Sequence, residues 1–341
     1  MEEKKAIWCG IDVSKNDMVA ALDIDREQPV RKLPSRKFAR TIDGLRDVLE
    51  WCAAHGADEA GLRVLMESTG NCSRELLQWF QNHFPHIPVS MGNPTHIKHF
   101  IDSEHLGNKT DSLDAKAIAR MGTTQKPRAT PLPPPEYLQL QNLVRARDTL
   151  KTKMRSLEVS GKAMLDVCSL PFQCFMNVVK VMEAELEKIE YAILDLIARM
   201  PELKAVVEIM CTMPGVSIIS AATILSEMGP FSNEYSRDSF SAYTGLRPVQ
   251  SLSGTSVNKS RLSKCGSPLL RKVIYMCSLH SVSKIPSLKS FHERLVAKGK
   301  KPLTARSACM RKMLLILRSM VLNQRDFQEN YVSFEKKGKV I

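Results

Sequence analysis

The sequence predicts a chain of three parts: an α/β domain, an antiparallel pair of long helices of coiled-coil type, and a mainly α C-terminal block. Three observations carry this. Strand-like and helix-like segments alternate through the first 126 residues. Apolar residues then recur at seven-residue and four-three spacing over 137–203. A run of helical segments rich in small and basic residues follows over 204–330. The expected boundaries are therefore 1–126, a proline-rich linker at 127–136, the helical hairpin at 137–203, the C-terminal domain at 204–330 and a tail at 331–341. A chain of 341 residues exceeds the usual size of one core, and a prior of about 150 residues per domain also favours division.

Residues 6–12 read as a strand ending at Asp12, residues 18–24 as its hairpin partner, and VRKLPSRKF as a weaker third strand. TIDGLRDVLEWCAAHG has a helical apolar face (Ile42, Leu45, Val48, Leu49, Cys52) and stops at Gly56. GLRVLMESTG is a further strand that delivers Glu67 at its carboxyl end, and Asn71 or Ser73 can cap the helix after it. IPVSMGNP, at 87–94, is another short strand. In sheets with helices on their faces, ligands collect at the carboxyl ends of strands, where Asp12 and Glu67 both fall. A helix beginning at Thr110 or Asp111 carries Asp111 and Asp114 at i and i+3, on one face of its first turn.

TTQKPRATPLPPPEY is stiff and cannot continue a helix, so it marks the first domain boundary. Beyond it Leu143, Leu150, Leu157 and Met164 recur every seven residues, and Phe175, Val179, Met182, Leu186, Ile189, Ile193, Leu196 and Met200 alternate by four and three. These two helices pack on each other or pair with another copy of the chain. MPGVSIISAATILSEMG, at 213–229, reads either as a helix-hairpin-helix element that offers backbone N–H groups to phosphate or as a tight turn in an α core. From 240 to 276 hydroxyls and basic side chains interleave around a Ser-Gly step, which suits a nucleophile, a phosphate anchor or a solvated turn.

Lys and Arg total 49 against 36 Asp and Glu, a net charge of +13, which makes a polyanion, and nucleic acid first, the expected partner. A composition of 43% hydrophobic and 25% charged residues excludes wholesale disorder and collagen-like chains. The apolar run at 313–322 is broken by Arg318 and is too short to span a bilayer, so a core helix and no membrane association are expected. The nine cysteines form no C-x-x-C pair or zinc spacing. With no apolar leader at MEEKKAIWCG, they suit a reducing cytoplasm.

Asp12, Glu67, Asp111 and Asp114 are the chemically telling residues. Carboxylates gathered in one pocket repel by roughly a kcal/mol or more per close pair, so such a set calls for divalent cations, and four acids suggest two Mg²⁺ ions. Phosphodiester cleavage is the matching reaction. The order strand-Asp, strand-Glu, helix Asp-x-x-Asp is similar to that of ribonuclease H-like nucleases, Holliday-junction resolvases above all. GIDVSK, ESTG, NKTDSLDA, the PGV segment, GLRP, LSGTSV and SKCGSPLLRK, taken in order across nearly the whole chain, resemble the DEDD transposases of bacterial insertion sequences, the group that includes the pilin-gene invertase.

The resemblance implies an α/β ribonuclease H-like (resolvase-like) N-terminal domain, an antiparallel coiled-coil hairpin and a mainly α C-terminal transposase domain with a covalent serine. Matched motif to motif, Asp12, Glu67, Asp111 and Asp114 are the metal ligands and Ser253 is the nucleophile. Donor and target DNA and a structured non-coding guide, the bridge RNA, are the implied partners, in a dimer or tetramer of the chain. The candidate nucleic-acid contacts are Lys109, Lys259, Arg261, Lys264, Arg271 and Lys272. Where the family often has Arg-Gly after LSGTSV, this chain has Asn258-Lys259, and Lys does not reproduce the bidentate fork of Arg. The alternative is a metal-only resolvase-like nuclease or invertase in which Ser253 is structural.

Overall fold

The computed structural model describes residues 6–68, 70–104, 110–131, 133–164, 169–233, 236–253, 257–263 and 266–329. Lys109, Lys264 and the tail 331–341 lie outside the described residues. The chain divides into two compact units, Met1–Leu132 and Pro133–Ile341.

In the first unit five strands form one sheet in the order β3-β2-β1-β4-β5. These are β1 (Ile7–Val13), β2 (Asp17–Asp23), β3 (Ser35–Ala39), β4 (Leu62–Glu67) and β5 (Val89–Gly92). The first three pair antiparallel, and β4 and β5 continue parallel to β1. The weak third strand of the sequence splits, with a 3-10 turn at Val30–Lys32 ahead of β3. Pro34 separates the two, since it donates no ladder hydrogen bond.

Alternation along β1 and β4 sorts their side chains to two faces. Cys9 and Ile11 of β1 and Val64 and Met66 of β4 pack with α1 (Ile42–Ala54) and α2 (Asn71–His83). Trp8 and Leu65 point the other way, with Ile97 of α3 (Pro94–Ser103) and Ile118 and Met121 of α4 (Asp111–Gln125). Thr41 caps α1 by accepting from the Gly44 N–H at 3.0 Å. At α2 neither Asn71 nor Ser73 is the N-cap: Gly70 takes that place at φ 102° with no side-chain cap. The chain leaving β4 must turn through left-handed backbone there, which glycine adopts without steric cost.

The start of the expected linker is not free chain. The Thr130 N–H donates to the Val89 carbonyl at 2.8 Å, its hydroxyl accepts from the Met91 N–H at 2.9 Å, and the Ser90 hydroxyl donates to the Pro127 carbonyl at 3.1 Å. Residues 127–130 thus cover the open edge of β5, where unpaired N–H and C=O groups would otherwise be exposed.

The second unit is helical apart from one hairpin. Helices α5 (Pro135–Met164) and α6 (Ser169–Arg199) run antiparallel, since Arg147 meets Glu190 at 2.7 Å while Gly161 packs against Phe172 and Phe175. On α6 the buried residues Val179, Ile193 and Leu196 follow the four-three pattern. On α5 the seven-residue stripe is displaced: Leu140, Val144 and Met154 are buried, and Leu143, Leu150 and Leu157 only flank them. Leu140 and Val144 also enter the core made with α7 (Pro201–Cys211), α8 (Ile218–Met228), α10 (Pro268–Lys284) and α12 (Pro302–Leu322), and that core sets the phase. The remaining helices are α9 (Arg237–Tyr243) and α11 (Pro286–Ala297). Among the described residues no helix is long and apolar enough to cross a membrane.

Candidate carboxylate centre and the serine hairpin

Asp12 and Glu67 are strand neighbours. Strands β1 and β4 pair in parallel with Ile11 opposite Met66, so Asp12 and Glu67 come next on adjoining strands about 4.8 Å apart. Asp12 shares the face of Trp8 and Gly10, and Glu67 that of Leu65, which is the face α4 covers. Both acids are half-buried.

Two glycines set the height of α4. A β-carbon on Gly122 would lie 2.5 Å from the Trp8 ring, and one on Gly10 would lie 2.2 Å from the Ala119 nitrogen and 2.3 Å from the Ala115 oxygen. The helix therefore runs opposite in direction to β1, in close backbone contact. Two residues further along β1 is roughly 6.6 Å, equal to about four or five residues back along the helix. That step leads from the Ala115–Ala119 crossing to the turn holding Asp111 and Asp114, which brings the helical pair level with Asp12. Asp114 is half-buried and Asp111 exposed.

The first turn of α4 is fixed on both sides. The Thr110 hydroxyl accepts from the Leu113 N–H at 3.3 Å, and the Ser112 and Ser35 hydroxyls share a hydrogen bond at 2.8 Å. Two acids at a helix N-terminus gain from the partial positive charge there. Lys37 lies close by; its hydrogen bond to Asp17 at 2.8 Å, Asp17's charge and, in smaller part, Asp111 raise its pKa. The four acids thus meet at one end of the sheet and helix through their backbones. Among the described residues no three of their side chains close into a metal-holding group.

A buried ion pair that composition does not reveal holds this assembly. The Arg120 guanidinium donates to both oxygens of Asp23 at 2.8 and 3.1 Å and to the carbonyls of Asp25, Arg26 and Gln28. It locks the β2–β3 connection onto α4. The available signal was a lone aspartate closing the apolar strand MVAALD.

In the second unit the residues flanking the Ser-Gly step form two paired strands. Strands β6 (Pro248–Ser253) and β7 (Val257–Leu262) pair antiparallel from Pro248–Leu262 to Ser253–Val257. Ser253 ends β6, immediately before residues 254–256, which lie outside the described residues. Lys259 and Arg261 are on β7, opposite Ser251 and Val249. At the base of the hairpin the Ser263 N–H donates to the Arg247 carbonyl at 3.0 Å. A β-carbon on Gly266 would lie 2.3 Å from the Tyr243 oxygen.

Arg271 donates to the Gly266 carbonyl at 2.7 Å, and Lys272 forms an ion pair with Asp148 of α5 at 2.5 Å. Both side chains therefore brace the hairpin's support in addition to adding positive charge. Helix α5 is further tied to α8 by Arg145, which grips the buried Glu227 at 2.7 and 3.0 Å. The PGV turn between α7 and α8 packs on α10, where the Ser281 hydroxyl donates to the Pro214 carbonyl at 2.6 Å. The N–H groups of Thr212 and Met213 bond to the Ile209 and Met210 carbonyls of α7 and that of Val216 to the Met213 carbonyl, which favours the packed-core reading of that segment.

Comparison with known proteins gives concordant matches. Residues 9–169 match the DEDD transposase model of IS110 type, and residues 207–293 match the model described as transposase IS116/IS110/IS902 family. The pilin gene-inverting protein of Moraxella bovis is 25% identical over 331 residues, covering 94% of this chain and 98% of that protein. Its counterpart in Moraxella lacunata is similar to the same extent, also 25% identical. An insertion element IS110 protein of Streptomyces coelicolor is 24% identical over 113 residues, 33% of this chain and 28% of its own length. The chain belongs to the DEDD transposases of the IS110 type, enzymes of DNA recombination.

Proposed function

We propose that this transposase cleaves and rejoins DNA with two sets of groups, the carboxylates Asp12, Glu67, Asp111 and Asp114 and the nucleophilic Ser253, directed by a bridge RNA. The observation that carries the reading is the common height of the four acids where β1, β4 and the first turn of α4 meet. The order of these elements supports a ribonuclease H-like N-terminal unit. All-oxygen donors on rigid elements fit a hard cation such as Mg²⁺, and four acids fit two ions. Such ions, when bound, activate a nucleophile and stabilise charge developing on phosphate oxygens.

The chain's own part begins with positioning. Thr110 and Ser112 fix the first turn of α4, and Gly10 and Gly122 let that helix lie low enough to present its acids. At the second centre, the Ser253 hydroxyl would lose its proton to a base and form a bond to phosphorus as the bond from phosphorus to a deoxyribose oxygen breaks. That oxygen leaves as a hydroxyl after taking up a proton. The phosphoserine ester conserves the bond, so a second DNA hydroxyl can displace the serine and rejoin strands.

The net charge of +13 supports DNA and RNA binding through backbone phosphates. Base pairing by a guide would leave the protein to read shape and charge. Self-association through the hairpin is supported by the exposed apolar residues Leu170, Val178 and Val181 of α6. The setting proposed is the bacterial cytoplasm at the nucleoid.

The protein purified with its RNA, mixed with DNA and Mg²⁺ and run on a denaturing gel, tests the chemistry. A covalent DNA adduct absent from Ser253→Ala is expected, with a discrete RNA in the preparation. Cleavage that survives in Ser253→Ala but is lost in Asp12→Ala would establish the metal-only nuclease instead.

A further inference from the structure

The second unit contains a cavity of about 500 Å³ between the base of the β6–β7 hairpin and helices α11 and α12. Leu246 and Leu262 close it on the hairpin side, and Phe291 and Leu303 on the helix side. Its size is that of an ordinary ligand pocket. Its rim is cationic. The Lys312 ammonium sits 4.9 Å from the centre of the Phe291 ring and the Arg294 guanidinium 5.4 Å. Arg311, also in the wall, is held in place by Asp238 at 2.8 Å and the Ser241 hydroxyl at 3.2 Å.

Leu303 is 66% exposed, and the exposed Lys300 and Lys301 precede it in the chain. An apolar slot with Arg311 and Lys312 in its wall, and Lys300 and Lys301 just ahead of Leu303 in the chain, suits a ligand that is flat, apolar on its faces and joined to anions. An unpaired nucleobase with its phosphates has that makeup.

Resting on the DNA-recombination reading above, we propose that this cavity receives an unpaired base of the DNA strand under reaction, with adjacent phosphates on Lys300, Lys301 and Lys312. The strand, rather than a guide, is the occupant because Pro248, which lines the cavity, begins β6. Ser253 ends the same strand five residues later, roughly 17 Å away at 3.3 Å per residue. A short extended piece of the strand to be cut would span that distance. Holding one base out of the stack there would fix the register of the phosphate presented to Ser253.

The test titrates the full-length protein with fluorescein-labelled single-stranded and duplex DNA of mixed sequence, read by anisotropy. Ala308→Trp fills the cavity from α12, and Leu303→Ser removes an exposed wall residue without touching the core. Both variants are expected to weaken single-strand binding about tenfold and to leave duplex binding unchanged, as loss of one base's stacking would do. Single-stranded DNA carrying 5-iodouracil should cross-link to α11 or α12 of the unmodified protein on irradiation. Equal binding of single strands by both variants, equal losses on single strands and duplex, or a loss confined to single-stranded RNA would each overturn the proposal. Failure of the unmodified protein to bind any DNA would overturn the recombination reading itself, a distinct result.

Discussion

Gly10 sets how closely α4 approaches the sheet, because any side chain there meets the helix backbone within 2.3 Å at two atoms. Gly10→Val is expected to cost about 3 kcal/mol through overpacking. It should also lift Asp111 and Asp114 away from Asp12, so thermal unfolding and strand cleavage should both fall. Arg120 acts by charge. Asp23 has no exposed side-chain surface, so Arg120→Ala strands a buried carboxylate and should destabilise the unit by about 3–5 kcal/mol in denaturant unfolding. Arg120→Lys should recover only part of that, lacking the fork. Among the cysteines, a hydrogen bond with Cys52 and then burial raise the Cys9 thiol well above its ordinary value, whereas Cys174 is exposed. A raised pKa leaves less thiolate at mildly alkaline pH, so iodoacetamide should spare Cys9 in the folded protein and modify it once the chain is unfolded. Mass mapping of the alkylated peptides reads this directly.

At the scale of elements, the N-terminal half of α6 exposes an apolar face. Leu170, Cys174, Val178 and Val181 follow one another by four, four and three residues, so they line one side of the helix. Val178→Glu with Val181→Glu should lower the oligomeric state in light scattering while leaving the melting temperature of the unit nearly unchanged. Elements were legible in the sequence where one signal dominated. β1 and β4 are short, mostly apolar segments, and α4 has both a threonine cap and acids in its first turn. They were illegible where tertiary packing decided. PVQSLS and VNKSRL are too polar to read as strands, yet they pair with each other above a base held by Gly266. The stripe on α5 is displaced because Leu140 and Val144 pack into the core of the second unit as well as against α6. Gly70 capped α2 in place of Asn71 or Ser73 because backbone direction, not a side-chain oxygen, was what that turn required.

Across the whole molecule, the candidate groups fall on two units. The first holds the acids and the second the serine hairpin. Motifs alone single out the four acids as candidates, but the height at which α4 carries Asp111 and Asp114 depends on the Gly10 and Gly122 approaches, which no motif displays. The central claim is that these acids form one cation site. Thermal unfolding of the full-length protein during Mn²⁺ titration, with Asp12→Asn, Glu67→Gln, Asp111→Asn and Asp114→Asn in parallel, tests it most directly. The unmodified protein should gain melting temperature with Mn²⁺, by mass action on the folded state. Each substitution should suppress that gain and, without Mn²⁺, raise stability slightly by relieving repulsion. A Mn²⁺-dependent rise that persists undiminished in all four variants would contradict the account.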